Sequence, residues 1–195
     1  MHNKLIKHFE KIMPLSAIEK NAIIKNMKVQ TFKKGSILLR EGQISTECYF
    51  VFKGCVREYY IFDGEEKTTN FFTDEQFVVS LNSFSQKIPA THYFECSEDC
   101  VLMIGNEKKE NELYKQFPKF ETISRKVMEN IYGNQQEKMV AFMNNSPEER
   151  YLNLMETRPD LFQIIPQFQI ARYLGIKPES LSRIKKRIFK PEKSL

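Results

Sequence analysis

The apolar residues of this chain change their spacing twice, and the order of those changes restricts the fold more than any other feature. Over the first 27 residues they recur at helical spacing. Leu5, Ile6, Phe9, Ile12 and Met13 share a face, Pro14-Leu15-Ser16 interrupts it, and Ser16 with Glu19 makes a capping box ahead of Ile18, Ala22, Ile23 and Met27. From Lys28 to about Ile104 the runs are short, rich in Phe, Tyr, Val and Thr, and separated by Gly, Asp, Asn and Ser. Residues 37–39, 49–52, 56–62, 68–72 and 101–104 are examples. Short strands at this spacing predict a small β sandwich or barrel. Asp63-Gly64 between two such runs signals a tight hairpin, since Gly accepts a positive φ. From Asn106 onward the helical period returns.

That return includes one long element. Phe117-Pro118 opens a helix on which Phe120, Ile123, Val127, Ile131, Gln135, Met139 and Phe142 step by three or four, over about seven turns. Such a stripe is either a core face laid on the chain's own barrel or a seam between two subunits. Its length favours the seam, with Phe120, Ile123, Val127, Ile131 and Met139 as the interface. Gly133 weakens the middle by about 1 kcal/mol relative to Ala and allows a bend there. Ser146, Pro147 and Glu149 then cap a further helix with Tyr151, Leu152 and Met155 on its buried face, ended by Arg158-Pro159.

Composition sets outer limits. The chain has 195 residues, 41% hydrophobic and 28% charged, which is globular rather than disordered. No apolar run reaches membrane-span length, and the opening MHNKLIKHFEKIM lacks a signal-peptide core, so a cytoplasmic protein is expected. Cys48, Cys55, Cys96 and Cys100 are expected as reduced thiols. The net charge of +5 is unevenly placed: residues 166–195 carry eight Lys/Arg and two acids. A polyanion partner, double-stranded DNA, is one expectation for that end; a merely solvated basic terminus is the alternative.

The stretch from Gln167 to Arg187 decides between them. Ile170, Ala171 and Leu174 share one face of a first helix, Gly175 permits a sharp turn, Ile176 plugs it, and Pro178 opens a second helix with Leu181, Ile184 and Ile188 inward. Alanine for close helix contact, glycine for the turn and aliphatics to lock the angle make a helix-turn-helix. The second helix presents Glu179, Ser180, Ser182, Arg183, Lys186 and Arg187 outward, where Arg can pair with guanine and Glu with cytosine. Lys177, Lys185, Lys190 and Lys193 suit phosphate contacts.

With these elements in place the chain resembles the Crp/Fnr family of bacterial transcription regulators. The resemblance rests on residues 34–42 (KGSILLREG), 49–54 (YFVFKG), Phe77-Val78 and Gln169 to Lys186, and spans roughly residues 10 to 190. It implies an α+β fold: an N-terminal double-stranded β-helix or jelly-roll-like β-roll, a long dimerisation helix and a C-terminal winged helix-turn-helix. The implied divisions are 1–115 for a cyclic-nucleotide-binding-like sensor with flanking helices, 116–144 for the dimerisation helix, and 145–195 for the DNA-binding domain. It further implies a homodimeric, sequence-specific DNA-binding regulator that is not an enzyme. A wing would have to come from Asp160 to Pro166.

The departures from the family pattern bear on the ligand. Where nucleotide-binding members carry a Gly-Glu and an Arg-Ser pair, this chain has Val79-Ser80 and Ala90-Thr91, a degenerate pocket in which only Thr91 keeps a hydroxyl. A buried cyclic phosphate would lose its charge-assisted partner, which is costly. Cyclic AMP is therefore not expected, and an unknown small-molecule effector is the alternative. Lys87 could supply a cation but is expected to be solvated. The cysteines are scattered, with none before Cys48, and His2, His8 and His92 offer no ligand triad, so neither cofactor nor metal is expected. That also weighs against a β-barrel metalloenzyme.

Overall fold

The computed structural model describes residues 2–189. Two helices open it, α1 (His2–Glu10) and α2 (Ala17–Asn26). The capping box is formed: the Ser16 hydroxyl accepts from the Glu19 amide, and the Glu19 carboxylate accepts from the Ser16 amide. Eight strands follow: β1 (Lys28–Phe32), β2 (Ile37–Leu39), β3 (Glu47–Lys53), β4 (Val56–Phe62), β5 (Glu65–Phe72), β6 (Phe77–Val78), β7 (Tyr93–Cys96) and β8 (Cys100–Asn106). A short helix α3 (Leu81–Gln86) lies between β6 and β7. All pairings are antiparallel, in two four-stranded sheets of order β1-β8-β3-β6 and β2-β7-β4-β5. Asp63 and Gly64, with φ of 52° and 76°, turn β4 into β5 as a two-residue hairpin loop.

The interior of the roll is apolar: Tyr49, Val51, Val56, Val78, Phe94, Cys96, Cys100 and Leu102 are all buried there. Strand β3 is buried from both sides. Tyr49 and Val51 face the roll, while Phe50 and Phe52 face outward into a second core with Leu5, Ile6, Ile23, Phe120, Ile123 and Val127. The unbroken apolar run from Tyr49 to Phe52 thus reflects a strand with a cover on each face.

Beyond the roll stand α4 (Glu107–Gln116), capped by the Asn106 side chain, and the long α5 (Lys119–Asn144) of 26 residues. Helix α5 runs about 39 Å without a break at Gly133. Then come α6 (Pro147–Thr157), α7 (Leu161–Ile164), α8 (Gln167–Tyr173) and α9 (Pro178–Ile188). The Ser146–Glu149 capping box of α6 is formed as expected. Residues 161–164 are helical, so the stretch proposed for a wing makes no strand. Among the described residues no helix is long and apolar enough to cross a membrane.

The expected seam needs correction. Phe120, Ile123 and Val127 are 2%, 1% and 5% exposed because they cover the outer face of β3 in their own chain. Ile131 packs against the edge of the same core. Of the five expected interface residues, only Met139 stands out in solvent. The alternative reading of the stripe, a core helix on its own barrel, holds for the first half of α5. Val127→Glu should therefore destabilise the fold itself, by about 3–5 kcal/mol for an unpaired buried charge. Urea denaturation followed by circular dichroism measures this; a variant as stable as the wild type would place Val127 outside the core.

Candidate nucleic-acid interface and roll pocket

Helices α8 and α9 meet at Gly175, whose φ is +70°. The turn also needs space: a Cβ at Gly175 would lie 2.9 Å from Cζ of Phe142, near the end of α5. Glycine here serves both the left-handed turn and the seating of the helix pair on the long helix. Ile170, Ala171, Leu174, Leu181 and Ile184 are buried together with Tyr151, Leu154, Leu161 and Ile165. Each residue assigned to the inner faces of the helix-turn-helix lies in or packs against this core.

The outer face of α9 carries Glu179, Ser182, Arg183, Lys186 and Arg187, all exposed, with Lys177 exposed at its N-terminus. Ser180 and Lys185 are half-buried. Glu179 lies three and four residues before Ser182 and Arg183, and Lys186 four and three residues after them, so the four share a stripe. Arg183 donates to the Ser180 hydroxyl at 3.3 Å. Two of the expected contacts are engaged elsewhere. Lys185 Nζ donates to Gln167 Oε1 of α8 at 3.1 Å, and Arg187 pairs with Glu148 of α6. Lys190 and Lys193 lie outside the described residues. Lys177 caps α9 without a side-chain bond to its first amides.

The α8–α9 pair is docked on the roll, a contact that sequence reading missed. Arg57 of β4, 2% exposed, pairs with Glu66 of β5 at 2.8 Å and Glu95 of β7 at 2.7 Å. Glu66 also receives Arg172 of α8 at 2.7 Å. Beside it the rings of Phe71 and Tyr173 meet edge to face at 5.3 Å, and Arg158 donates to the Thr73 hydroxyl at 3.0 Å. Cys55 and Phe71 share one core with the helix-turn-helix.

The degenerate pocket positions separate in space. Ala90 is buried in the roll core, and its amide and carbonyl bond to Gln43 and Gly42. Ser80 is buried at the start of α3, while Thr91 is exposed. Val79 instead lines a cavity on the far side of the sheet. Lys87 takes a left-handed conformation (φ 56°), donates to the Phe84 carbonyl and pairs with Glu107. It is a partnered surface cation rather than a replacement for the missing arginine. Facing the roll interior are groups that pattern could have found, since Glu58 and Tyr60 alternate with Val56 along β4. The Glu58 carboxylate lies 3.7 Å from His92 Nε2. Burial raises the pKa of Glu58 and lowers that of His92, so each is pushed toward its neutral form. Both His92 ring nitrogens lack a hydrogen-bond partner.

All four cysteines are free thiols, with Cys55, Cys96 and Cys100 buried. Among the described residues no group of three or more His, Cys, Asp or Glu side chains is placed to hold a metal ion.

If Gly175 serves both turn and seat, Gly175→Ala should cost about 1–2 kcal/mol from its positive φ alone, plus the contact with Phe142. In a Phe142→Ala background the contact part should vanish and the φ part remain, a non-additive cycle readable by thermal melting. Strictly additive losses would separate Gly175 from Phe142.

Comparison with known proteins agrees with this architecture. Residues 29–117 match the cyclic nucleotide-binding domain family. Among curated proteins no sequence matches the chain. Solved structures do: the c-di-GMP responsive global regulator CLP of Xanthomonas campestris superposes with a TM-score of 0.69 at 15% identity, over 89% of this chain and 91% of that one. FixK2 of Bradyrhizobium japonicum gives 0.67 at 17% identity, over 83% and 84%. The catabolite activator protein of Thermus thermophilus gives 0.56 at 16%, over 91% and 85%. A roll of two antiparallel sheets, a long helix and a terminal helix pair stand in the same order in this chain, which has the fold of Crp/Fnr-type regulators, with residues 29–117 matching the cyclic nucleotide-binding domain family.

Proposed function

We propose that the chain is a cytoplasmic, homodimeric transcription regulator that reads DNA half-sites with α9 and does not respond to cyclic AMP. The observation that carries this reading is the exposed stripe of α9, with Arg183 and Lys186 on a helix whose opposite face is locked by Leu181 and Ile184. A rigid helix with a basic, hydrogen-bonding outer face suits the major groove. The family fold places it in the company of regulators, and CLP is one that answers to c-di-GMP.

Dimerisation in this reading uses the second half of α5. Tyr132, Met139 and Met143 are 63%, 65% and 73% exposed, and with Gln136 they follow heptad-like steps of four, three and four. That spacing suits a two-helix seam with the same helix of a second copy. The seam lies beyond Ile131, toward the helix-turn-helix.

The absence of a cyclic-nucleotide response is supported by the polar groups of the roll. Ala90 offers no cation and Lys87 is paired with Glu107. With alanine where the guanidinium would stand, a buried phosphate has no charge-assisted partner, and burying it unpaired is costly.

Three variants test the DNA and dimer readings by fluorescence anisotropy and sedimentation. Arg183→Ala should cost about 1–3 kcal/mol on the specific site and relax preference at one base pair. Lys177→Ala should weaken all sequences alike and flatten the salt dependence. Met139→Glu should sediment as a monomer with unchanged melting temperature and bind the operator weakly. Equal loss on specific and random DNA for Arg183→Ala would remove it from base reading, and a dimeric Met139→Glu would move the seam.

The ligand reading has its own test. A ligand at a hundred times its Kd stabilises by about 2.7 kcal/mol, several degrees of Tm at this size. Millimolar cyclic AMP should leave the melting curve in place; an upward shift at micromolar cyclic AMP would make the chain a cyclic-nucleotide sensor.

A further inference from the structure

On the side of the sheet away from the roll interior lies a cavity of about 240 Å³, bounded by α1 to α5 and strands β3, β6 and β8. Its walls are apolar, with Phe9, Met27, Phe77, Met103, Leu113 and Met128 among them. Its polar lining includes Asn26, Asn106, Lys109 and Ser124 as well as Cys48, whose thiol donates to the Glu110 carboxylate at 3.0 Å. Burial and the neighbouring Glu110 charge hold that thiol protonated, so it remains a donor. Gly105 makes room for the pair. A Cβ there would lie 2.8 Å from Cys48 Sγ and 2.9 Å from Glu110 Oε1.

We propose that this cavity binds a small, neutral, apolar molecule that directs one hydroxyl or N–H donor to Glu110. The size follows from comparison: a dry apolar cavity of about 150 Å³ accepts benzene, so this one suits a molecule of roughly ten carbons. An apolar wall with a few convergent polar groups is the usual make-up of a small-molecule site. Met27, Met103 and Met128 let the walls adapt to an irregular guest. The Glu110 carboxylate has acceptor capacity beyond its bond from Cys48. It also selects against acids, because a second carboxylate beside it would be repelled, while the cation of the lining, Lys109, is exposed and screened by solvent.

The position gives the site a consequence. Phe120, Ile123 and Val127 of α5 line the cavity, and the same helix ends with Phe142 against Gly175. An occupant bears on the helix that seats the DNA-reading pair. This consequence rests on the regulator reading above; the binding itself does not.

The test uses the full chain without DNA and 1-naphthol as probe, with ten carbons and one hydroxyl. Isothermal titration should give saturable one-to-one binding below the probe's solubility limit. Decanoate should bind at least tenfold more weakly, and Glu110→Gln should narrow that gap. Met103→Trp and Met128→Phe, which fill the space, should each weaken 1-naphthol at least tenfold while circular dichroism stays unchanged. Should a filled variant fail to fold, methyl NMR of the wild type decides: probe-induced shifts should concentrate on Met27, Met103 and Met128. No saturable binding, folded filled variants that bind like wild type, or shifts elsewhere would overturn the proposal. Because none of these readouts involves DNA, the pocket and the DNA-reading assignment fail separately.

Discussion

Strand β3 is apolar on both faces, and much of the architecture follows from covering it. Tyr49 and Val51 need the opposite sheet, and the roll supplies it. Phe50 and Phe52 need a second layer, supplied by α1, α2 and the first half of α5. Burying Phe120, Ile123 and Val127 stabilises by about 1.5–3 kcal/mol each, which outweighs the roughly 1 kcal/mol that Gly133 costs the helix. Helix α5 is therefore two things in one rod. Up to Ile131 it is part of the roll's outer core; beyond it, the helix leaves that core with Tyr132, Met139 and Met143 uncovered.

This division shows what could and could not be read from the amino-acid order. Changes of period marked the helical and strand regions, because they depend only on local geometry. The capping boxes at Ser16 and Ser146 and the Asp63-Gly64 turn were legible for the same reason. The inner faces of the helix-turn-helix were legible because alanine, glycine and aliphatics each had a steric duty at one position. The partner of the α5 stripe was not. Helical spacing says that a face is buried, not what buries it, and a seam satisfies it as well as a core does. The missing clue was Phe50 and Phe52: a run with no polar alternation requires a cover on its outer face.

The docking of α8 and α9 on the roll was not legible at all. Glu66 and Arg172 are 106 positions apart, and only the folded chain brings them together. Val79-Ser80 and Ala90 were legible as departures from the family pattern, yet where the fold puts them was not. Glu58, on the Val56 face of β4, sets an acid near His92. Val79, by contrast, has left the roll for the cavity on the other side of the sheet.

Magnitudes decide what holds the helix-turn-helix in place. Arg172 and Glu66 are each about a third exposed, at 34% and 35%, so the bond between them is screened and worth at most about 1 kcal/mol. The Arg57–Glu66–Glu95 group is different, since Arg57 is stripped of water and holds both carboxylates, so that removing either leaves a buried guanidinium with half of its charge-assisted bonds. Glu66 is thus fixed first by Arg57, inside the roll, and only then offered to α8. The apolar contact of Phe71 with Tyr173 and the shared core around Phe71 supply the larger docking energy. Two residues beyond Tyr173, in the turn itself, Phe142 sits over Gly175. The orientation of α9 is consequently set at two places, one on sheet strand β5 and one on α5.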